Sequence, residues 1–286
     1  MCRFAAYLGH PISLDELLYK PDHSIIVQSA KAKGGEEPLN GDGFGVGWYV
    51  PEMDDEPALY RNATPAWADR NMRNIAPRVN TPLFFAHVRD ASEGMKIQQT
   101  NCHPFSKDRL MFMHNGVVGS FDEVLRPLRN QLSDEVYFTI DGTTDSEHLF
   151  ALAQDELGPK AANPDADDLA RAVRRSIERV EALKHKKGIE TKTTANLALT
   201  DGCSFVASRY ANEHADEAAS LYVSRAGGFT TGEDGTTRAV DPAERGAVLV
   251  SSEPMMEQAV GLDPVPPNHM VIVEPDCSYR IEPIVQ

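Results

Sequence analysis

The residue with the clearest chemical potential is Cys2, which directly follows the initiator methionine. Its small side chain would let a methionine aminopeptidase remove Met1 and leave a free α-amino group beside the thiol. An α-amine titrates at about 7.7–8.0, so near neutral pH part of it is available as a base. Nucleophile and base would then sit on one residue. The alternative is a cysteine without chemistry in a buried strand over residues 3–9.

Arg89 is the second candidate, in the segment His87-Val88-Arg89-Asp90-Ala91-Ser92 that follows an apolar run. An arginine can hold a carboxylate through two parallel hydrogen bonds, a task that lysine performs poorly. We therefore expect Arg89 to bind the carboxylate of a substrate. The alternative is a structural arginine whose guanidinium bonds the carbonyl groups of its own loop.

Asn115 and Gly116 follow another apolar run, in the segment His114-Asn115-Gly116. A side-chain amide and the backbone N–H of a flexible glycine are neutral donors that can converge on a developing oxyanion. The alternative is a plain turn, which the Asn-Gly dipeptide commonly marks. On the first interpretation, these two residues stabilise the intermediate of an acyl transfer.

Asp145 opens a helix in the segment Thr143-Thr144-Asp145-Ser146-Glu147. It could be an N-cap, a role that Thr144 fits as well, or a carboxylate that receives a substrate ammonium group. Together with Arg89 it would hold the head group of an α-amino acid. The Cys2 thiol and the oxyanion donors would then act on the side-chain amide. The combination predicts a site of the glutamine type.

These segments resemble the class II glutamine amidotransferases, which are Ntn hydrolases with an N-terminal cysteine. Met1-Cys2-Arg3 resembles the start of the family, and residues 87–92 are similar to its His-x-Arg-x-Ala-Thr segment. Residues 114–116 resemble its oxyanion-hole motif, and residues 144–147 its Thr-Asp-Ser/Thr-Glu segment. Their order and rough spacing hold across about residues 1–150. Four ordered motifs are far more specific than any one of them.

A closer likeness is to compact, stand-alone members, the YafJ-type proteins and the γ-glutamyl hydrolase of ergothioneine biosynthesis. It is carried by four further segments, which are residues 23–29, 42–49, 101–105 and 250–254. The resemblance implies an α+β fold, a four-layer α-β-β-α sandwich of two mostly antiparallel sheets. It also implies hydrolysis of glutamine or of a γ-glutamyl amide through a thioester, without a metal or other cofactor.

The resemblance also assigns the site residues. The catalytic group would be Cys2 as nucleophile with Asn115 and Gly116 as oxyanion donors. The substrate-binding group would be Arg89, Asp145 and Ser92. The chain departs from the aminosugar and purine enzymes of the class, which have Thr-His-Gly where this sequence has Ser92-Glu93-Gly94.

Composition limits the class of protein. The net charge of −15 and the lack of an extended basic run argue against a nucleic-acid partner. The four cysteines form no CxxC pair, so we expect neither a disulfide framework nor a zinc site. No signal peptide is expected, and no stretch approaches the ~20 apolar residues of a membrane span. We therefore expect a soluble intracellular protein, located in the cytoplasm. The resemblance implies that residues 1–286 form one class II glutamine amidotransferase domain.

The order of predicted elements favours an antiparallel α+β layer fold, with strands and hairpins, then helices, then hairpins. We expect strands over 3–9, 24–29, 82–87, 110–113, 195–200, 203–208, 220–224, 247–251 and 270–274, and the Asp201-Gly202 dipeptide predicts a hairpin between 195–200 and 203–208. We expect a helix over 13–18 capped by Ser13, a helix over 169–183 marked by its apolar period, and helices over 66–75, 121–130 and 146–157. We also expect a linker over 158–167 and a mobile loop over 227–237. Glycines at 43, 45 and 47 give a strand one bare face, which another backbone or a ligand can approach closely.

Two other functions stay open at this point. The chain could be a glutaminase that feeds ammonia to a separate synthase partner, or a non-enzymatic scaffold that retains Met1. A stand-alone hydrolase would act on a small-molecule substrate, glutamine or a γ-glutamyl compound, and could form a homodimer. We expect its acceptor pocket along residues 43–49 and the C-terminal loops.

Overall fold

Two large β-sheets form the centre of the protein in a computed structural model. The structure describes residues 2–33, 39–91, 96–213, 218–226, 228–231, 237–240, 246–256 and 262–284. The strands are β1 (Arg3–Ser13), β2 (Phe44–Trp48), β3 (Ala58–Asn62), β4 (Asn80–Val88), β5 (Phe105–Lys107), β6 (Leu110–Val118), β7 (Thr193–Thr200), β8 (Phe205–Arg209), β9 (Tyr222–Ala226), β10 (Gly228–Thr231), β11 (Thr237–Val240), β12 (Ala247–Ser251), β13 (Leu262–Pro264), β14 (His269–Val273) and β15 (Tyr279–Pro283).

Helices cover the outer faces of both sheets. They are α1 (Asp15–Leu18), α2 (Ile25–Ala30), α3 (Arg70–Ile75), α4 (Phe121–Arg129), α5 (Asp134–Tyr137), α6 (Asp145–Leu157) and α7 (Ala166–Lys187), with 3-10 turns at Ala66–Ala68, Ala76–Arg78, Gln99–Asn101 and Gly158–Ala162. Among the described residues, no helix has the length and apolar character needed to cross a membrane.

The first sheet has the order β13-β9-β12-β1-β4-β2-β3, and the second has the order β15-β14-β8-β7-β6-β5. Neighbouring strands in both sheets are antiparallel. A separate two-stranded ribbon pairs β10 with β11. This arrangement confirms the predicted class of two mostly antiparallel sheets.

The side chains of β1 alternate between two hydrophobic cores, and this alternation explains the layers of the fold. Phe4, Ala6 and Leu8 belong to the core between the two sheets, where Phe85 of β4 meets Phe205 of β8 edge to face at 6.0 Å. The intervening residues of β1 face a second core, which α1, α2 and α3 cover. A third core lies between the second sheet and the helices α4, α6 and α7. Because side chains alternate along a strand, each sheet buries both faces, which gives the α-β-β-α sandwich.

Three local predictions are wrong. Residues 24–29 are helical, because the Ser24 hydroxyl accepts the Val27 N–H at 3.3 Å and Ile25 and Ile26 pack on the first sheet. Ser13 ends β1 and does not cap α1, whose N-cap is Leu14. Part of the predicted linker, Gly158–Ala162, is a 3-10 turn.

The predicted loop over 227–237 is also corrected in part, since β10 and β11 occupy its two ends. Residue 227 and residues 232–236 lie outside the described part of the chain. The remaining predicted strands and helices are present with shifted ends. Thr193–Thr200 and Phe205–Arg209, for example, flank the predicted Asp201-Gly202 hairpin.

Candidate active site

The antiparallel pairing of β1 with β4 brings Cys2 next to the segment that follows β4. Arg3 pairs with Val88, so the residues just beyond this pair come together at one edge of the first sheet. The Cys2 thiol donates to the Asp90 carbonyl at 3.4 Å, and its sulfur accepts the Asp90 N–H at 3.3 Å. Burial raises the pKa of the Cys2 thiol, and the Asp90 backbone hydrogen bond opposes this effect in part. The thiol is therefore protonated near neutral pH.

Arg89 leaves the same edge and is buried. Its backbone continues the pairing with the residues before β2, donating to Gly43 O at 2.8 Å and accepting from the Asp42 N–H at 3.0 Å. Within the described residues, the guanidinium makes one hydrogen bond, from Nη1 to Asp42 O at 3.3 Å. Its other N–H groups are left for a further acceptor, because a guanidinium carries five of them.

Asp42 is a site residue that the sequence interpretation missed. Its Oδ2 accepts the Ala91 N–H at 2.9 Å, so it fixes the loop that carries Arg89. The signal was its position before the glycine-rich strand, but the sequence does not show which loop its carboxylate caps. Ser92, the third predicted substrate-binding residue, lies outside the described residues, and its role stays a prediction.

Asn115 lies inside β6 and not in a turn, because the strand continues to Val118. It pairs with Asn196 of β7. Its side chain is 1% exposed, and neither its amide nitrogen nor its amide oxygen has a hydrogen-bond partner among the described residues. A buried amide left unpaired costs about 1–3 kcal/mol, so this position is suited to a ligand that completes it.

The direction of the Gly116 N–H follows from the pairing of β6 with β7. Gly116 pairs with Ala195, whose own N–H donates outward to Tyr210 O at 3.0 Å. In an antiparallel ladder, the two residues of such a pair both direct their N–H groups away from each other. The Gly116 N–H therefore points away from β7. A Cβ at this position would lie 2.0 Å from Thr194 O, so a larger residue does not fit.

Asp145 connects the end of β6 with the start of α6. Its Oδ2 accepts the Val118 N–H at 2.8 Å, and its Oδ1 accepts the Ser146 N–H at 2.8 Å. The N-cap of α6 is Thr144, whose hydroxyl accepts the Glu147 N–H. The cap alternative for Asp145 is therefore wrong. Its carboxylate is fixed in place and keeps lone pairs for a further donor.

Two histidines hold the sheets together beside these residues. His87 of β4 donates from Nε2 to His114 O of β6 at 3.0 Å. Burial lowers the pKa of His87 to about 3, so its ring is neutral and Nε2 carries the proton that the carbonyl accepts. The bond ties the strand that leads to Arg89 to the strand that carries Asn115. His103 stacks on His87 with a centroid distance of 4.2 Å.

The bare face of β2 is filled by the protein itself. A Cβ on Gly45 would lie 2.2 Å from His103 O, and one on Gly47 would lie 2.2 Å from the Met111 sulfur. The predicted close approach of another backbone is confirmed. The expectation that a ligand pocket runs along this glycine face is wrong, because the loop before β5 and the strand β6 occupy it.

The fold is a sandwich in which β4, the strand that leads to Arg89 and lies beside Cys2, is hydrogen-bonded through His87 to β6, the strand that carries the buried Asn115 amide. Residues 19–233 match the family described as glutamine amidotransferases class-II. This chain belongs to the class II glutamine amidotransferases, which confirms the resemblance drawn from its four motifs.

Two relatives give the likeness more detail. The whole chain aligns with a Saccharomyces cerevisiae protein named probable glutamine amidotransferase DUG3, at 36% identity and over 85% of that protein. A stretch covering 57% of the chain is 32% identical to the gamma-glutamyl-hercynylcysteine sulfoxide hydrolase of Mycolicibacterium smegmatis, over 68% of that enzyme.

Solved structures agree with the architecture. A glutamine aminotransferase class-II domain protein from Silicibacter pomeroyi superimposes with a TM-score of 0.67 at 29% identity, covering 99% of this chain and 98% of that one. The glutamine phosphoribosylpyrophosphate amidotransferase of B. subtilis gives a TM-score of 0.63 at 16% identity, over all of this chain and 50% of that one. The second likeness supports the fold alone.

Proposed function

We propose that this chain hydrolyses the γ-amide of glutamine, or of a γ-glutamyl amide or peptide, through a thioester on Cys2. The family and its γ-glutamyl hydrolase relative support an amidohydrolase. The observation that carries the assignment to this site is Asn115, a buried amide that has no hydrogen-bond partner among the described residues and lies on β6, the strand bonded to His87 of β4. Such a group is what a developing oxyanion requires.

The first half-reaction forms the thioester. With Met1 removed, the Cys2 amine takes the thiol proton, and the sulfur attacks the γ-carbonyl carbon while the C=O electron pair moves to oxygen. The Asn115 amide N–H and the Gly116 N–H stabilise this oxyanion, each contributing about 3–4 kcal/mol by analogy with other oxyanion donors. Collapse of the intermediate breaks the C–N bond, and the ammonium of Cys2 returns its proton to the leaving amine.

The second half-reaction releases glutamate. Water gives a proton to the Cys2 amine and its oxygen attacks the thioester carbonyl, which passes through a second oxyanion at the same donors. The C–S bond breaks, and the thiol regains its proton. Because burial raises the pKa of the Cys2 thiol, attack depends on proton transfer to the amine rather than on a standing thiolate.

The head group of the substrate is assigned to Arg89 and Asp145. The N–H groups of Arg89 that have no partner among the described residues suit the α-carboxylate, and the fixed carboxylate of Asp145 suits the α-ammonium. Ser92 is proposed as a third contact on the strength of its place in the family motif. The neutral His87–His114 bond joins the sheet that carries Arg89 to the sheet that carries Asn115.

The test is glutamate release from glutamine and a panel of γ-glutamyl amides, with Met1 removal confirmed by intact mass. Wild-type protein is expected to release glutamate, and Cys2→Ala is expected to release none. Cys203→Ala is the matched control, because Cys203 is an exposed thiol on the hairpin after β7, and it should keep wild-type activity. Release by Cys2→Ala at the wild-type rate, or no release by processed wild-type protein, would contradict the proposal.

The leaving group is the finer part of the proposal. Fast release from one γ-glutamyl amine or peptide would identify a stand-alone hydrolase, whereas slow release from glutamine alone would favour the alternative of a glutaminase that feeds ammonia to a separate synthase. A synthase partner, a homodimer and a cytoplasmic location stay predictions. We propose one domain for the chain, since both sheets share the core between them.

A further inference from the structure

A buried ion pair lies directly behind Cys2. Arg3 donates from Nε to Glu253 Oε1 at 2.7 Å and from Nη1 to the Cys2 carbonyl at 2.9 Å. Arg3 is 4% exposed and Glu253 is 3% exposed. One guanidinium therefore connects the backbone of the candidate nucleophile to a carboxylate that is more than two hundred residues away in the sequence.

Glu253 is held from a second side as well. Its Oε2 lies 2.6 Å from His23 Nε2 and accepts the Lys33 N–H at 3.0 Å. The preceding residue, Ser252, is hydrogen-bonded to the start of β1. Its hydroxyl accepts the Phe4 N–H, and its own N–H donates to Phe4 O, both at 3.0 Å. The carboxylate is thus a fixed point between the end of β12, the segment around α2 and the first residues of β1.

We propose that Glu253 is a positioning residue for the reaction at Cys2. Acting through Arg3, it fixes the carbonyl of Cys2, while Asp90 fixes the sulfur. The amine is attached to the same α-carbon, so these two anchors also set the direction in which it points. This inference rests on the proposed function, because it concerns the residue that carries both nucleophile and base.

The need for such an anchor follows from chain chemistry. Once Met1 is removed, Cys2 has a covalent neighbour on one side only, and terminal residues are poorly ordered unless they are tied down. A displacement of about 1 Å at a reacting group can lower a rate about 100-fold. Arginine suits this link because its planar fork directs two N–H groups at two separate acceptors, whereas lysine presents a point charge.

The test is Glu253→Gln, which keeps the shape of the side chain and removes its charge. The expected result is a kcat per titrated Cys2 that falls about 10–100-fold, by loss of orientation. KM should stay within about 2-fold, because the hydrogen bonds that Arg89 and Asp145 make among the described residues do not involve Glu253. A diazoketone analogue of glutamine, which alkylates the nucleophile, should label Cys2 more slowly by the same factor. The labelling rate is measured by mass spectrometry and does not depend on turnover of a substrate.

Asp168→Asn is the matched control, since Asp168 is another buried carboxylate that binds an arginine, Arg171, but lies on α7. It should lower Tm without changing kcat or labelling. Arg3→Lys keeps a cation for Glu253 and should lower kcat at least about 5-fold, which covers the case in which Glu253→Gln does not fold.

A wild-type kcat and labelling rate in folded Glu253→Gln or Arg3→Lys, or a loss confined to KM, would overturn the positioning role. Failure of the proposed function looks different. Wild-type protein would then show no Cys2-dependent glutamate release, whatever residue stands at 253.

Discussion

Polar groups are arranged differently in two regions of the molecule. One is the candidate site around Cys2, His87, Arg89 and Asn115, called the active-site edge below, and the other is the helical layer of α6 and α7. At the start of α7, Asp165 and Asp168 cap each other's backbone N–H groups, and Asp168 also binds Lys160 and Arg171. At the active-site edge, both amide atoms of Asn115 lack a partner among the described residues.

Two buried histidines, His87 and His103, also have ring nitrogens without a hydrogen-bond partner in the region that the structure describes. Neither ring nitrogen of His103 has a partner within the described part of the chain, and Nδ1 of His87 has none. In the described residues of α6 and α7, one buried side-chain oxygen, on Glu181, is without a partner.

The difference separates groups that stabilise the fold from groups that are available to a substrate. An unpaired buried amide opposes folding, so its cost must be offset elsewhere, and well-capped helices in the outer layer are one place where that occurs. Substitutions at the active-site edge should therefore change rates more than stability. Substitutions in the helical layer should do the reverse.

The largest effect is expected for Asn115→Ala. Loss of one oxyanion donor should lower kcat/KM about 10²–10³-fold, while the free energy of unfolding changes by less than about 1 kcal/mol because an unpaired amide is removed. Steady-state glutamate release and urea unfolding would measure both.

Its cross-strand partner provides the control. Asn196 donates to Ala219 O and Ser220 O, so Asn196→Ala should destabilise by about 1–3 kcal/mol through the carbonyls left unpaired. Equal destabilisation by both substitutions would break the contrast between the two asparagines.

Arg89→Lys should act on substrate binding. Loss of the bidentate contact with the α-carboxylate should raise KM about 10–30-fold, which corresponds to about 1.4–2 kcal/mol of binding free energy. The value of kcat should stay within about 3-fold. Arg175→Lys, at an exposed arginine of α7 that pairs with Glu178, should leave both constants unchanged. An unchanged KM in Arg89→Lys would remove Arg89 from the substrate site.

His87 gives the active-site edge a specific response to acid. Its pKa is about 3 in the folded protein and near 6.5 when unfolded, so the unfolded state binds the extra proton. Its contribution to stability is complete above pH 6.5 and is lost as the pH falls from 6.5 towards 3. Between pH 7 and pH 5, wild-type protein should lose about 2 kcal/mol more unfolding free energy than His87→Gln. Parallel losses in urea unfolding at the two pH values would contradict the neutral ring.

The smallest effect is expected in the helical layer. Asp165→Ala removes the N-cap of α7 and should cost about 1 kcal/mol of unfolding free energy, with no change in kcat or KM. Thermal unfolding and glutamate release would be compared on the same preparation. A change in kcat would show that the helical layer is coupled to the site.

Local sequence patterns predicted the helices and strands better than they predicted which of them contact one another. The apolar period of residues 169–183 predicted α7, and the Asp201-Gly202 dipeptide predicted the hairpin of β7 and β8. The run Ile25-Ile26-Val27 has the composition of a strand, yet it is helical because Ser24 caps it and the first sheet buries Ile25 and Ile26. Tertiary packing outweighed intrinsic propensity there.

Motif order indicated the site, but spacing alone could not assemble it. Cys2 and Asp90 meet only because β1 pairs with β4, and Arg3 meets Glu253 through the pairing of β1 with β12. These contacts depend on which strands pair, and that choice is set by whole-sheet packing. Asp42 and Glu253 were missed for the same reason.

The most direct measurement is the intact mass of protein quenched during turnover of a γ-glutamyl substrate. It would compare processed protein with a variant in which one additional residue is retained before Cys2. The account predicts a mass increase of one γ-glutamyl group, mapped to Cys2, in the processed protein alone. An adduct on another residue, equal adducts in both proteins, or hydrolysis that proceeds equally well without a free Cys2 amine would contradict it.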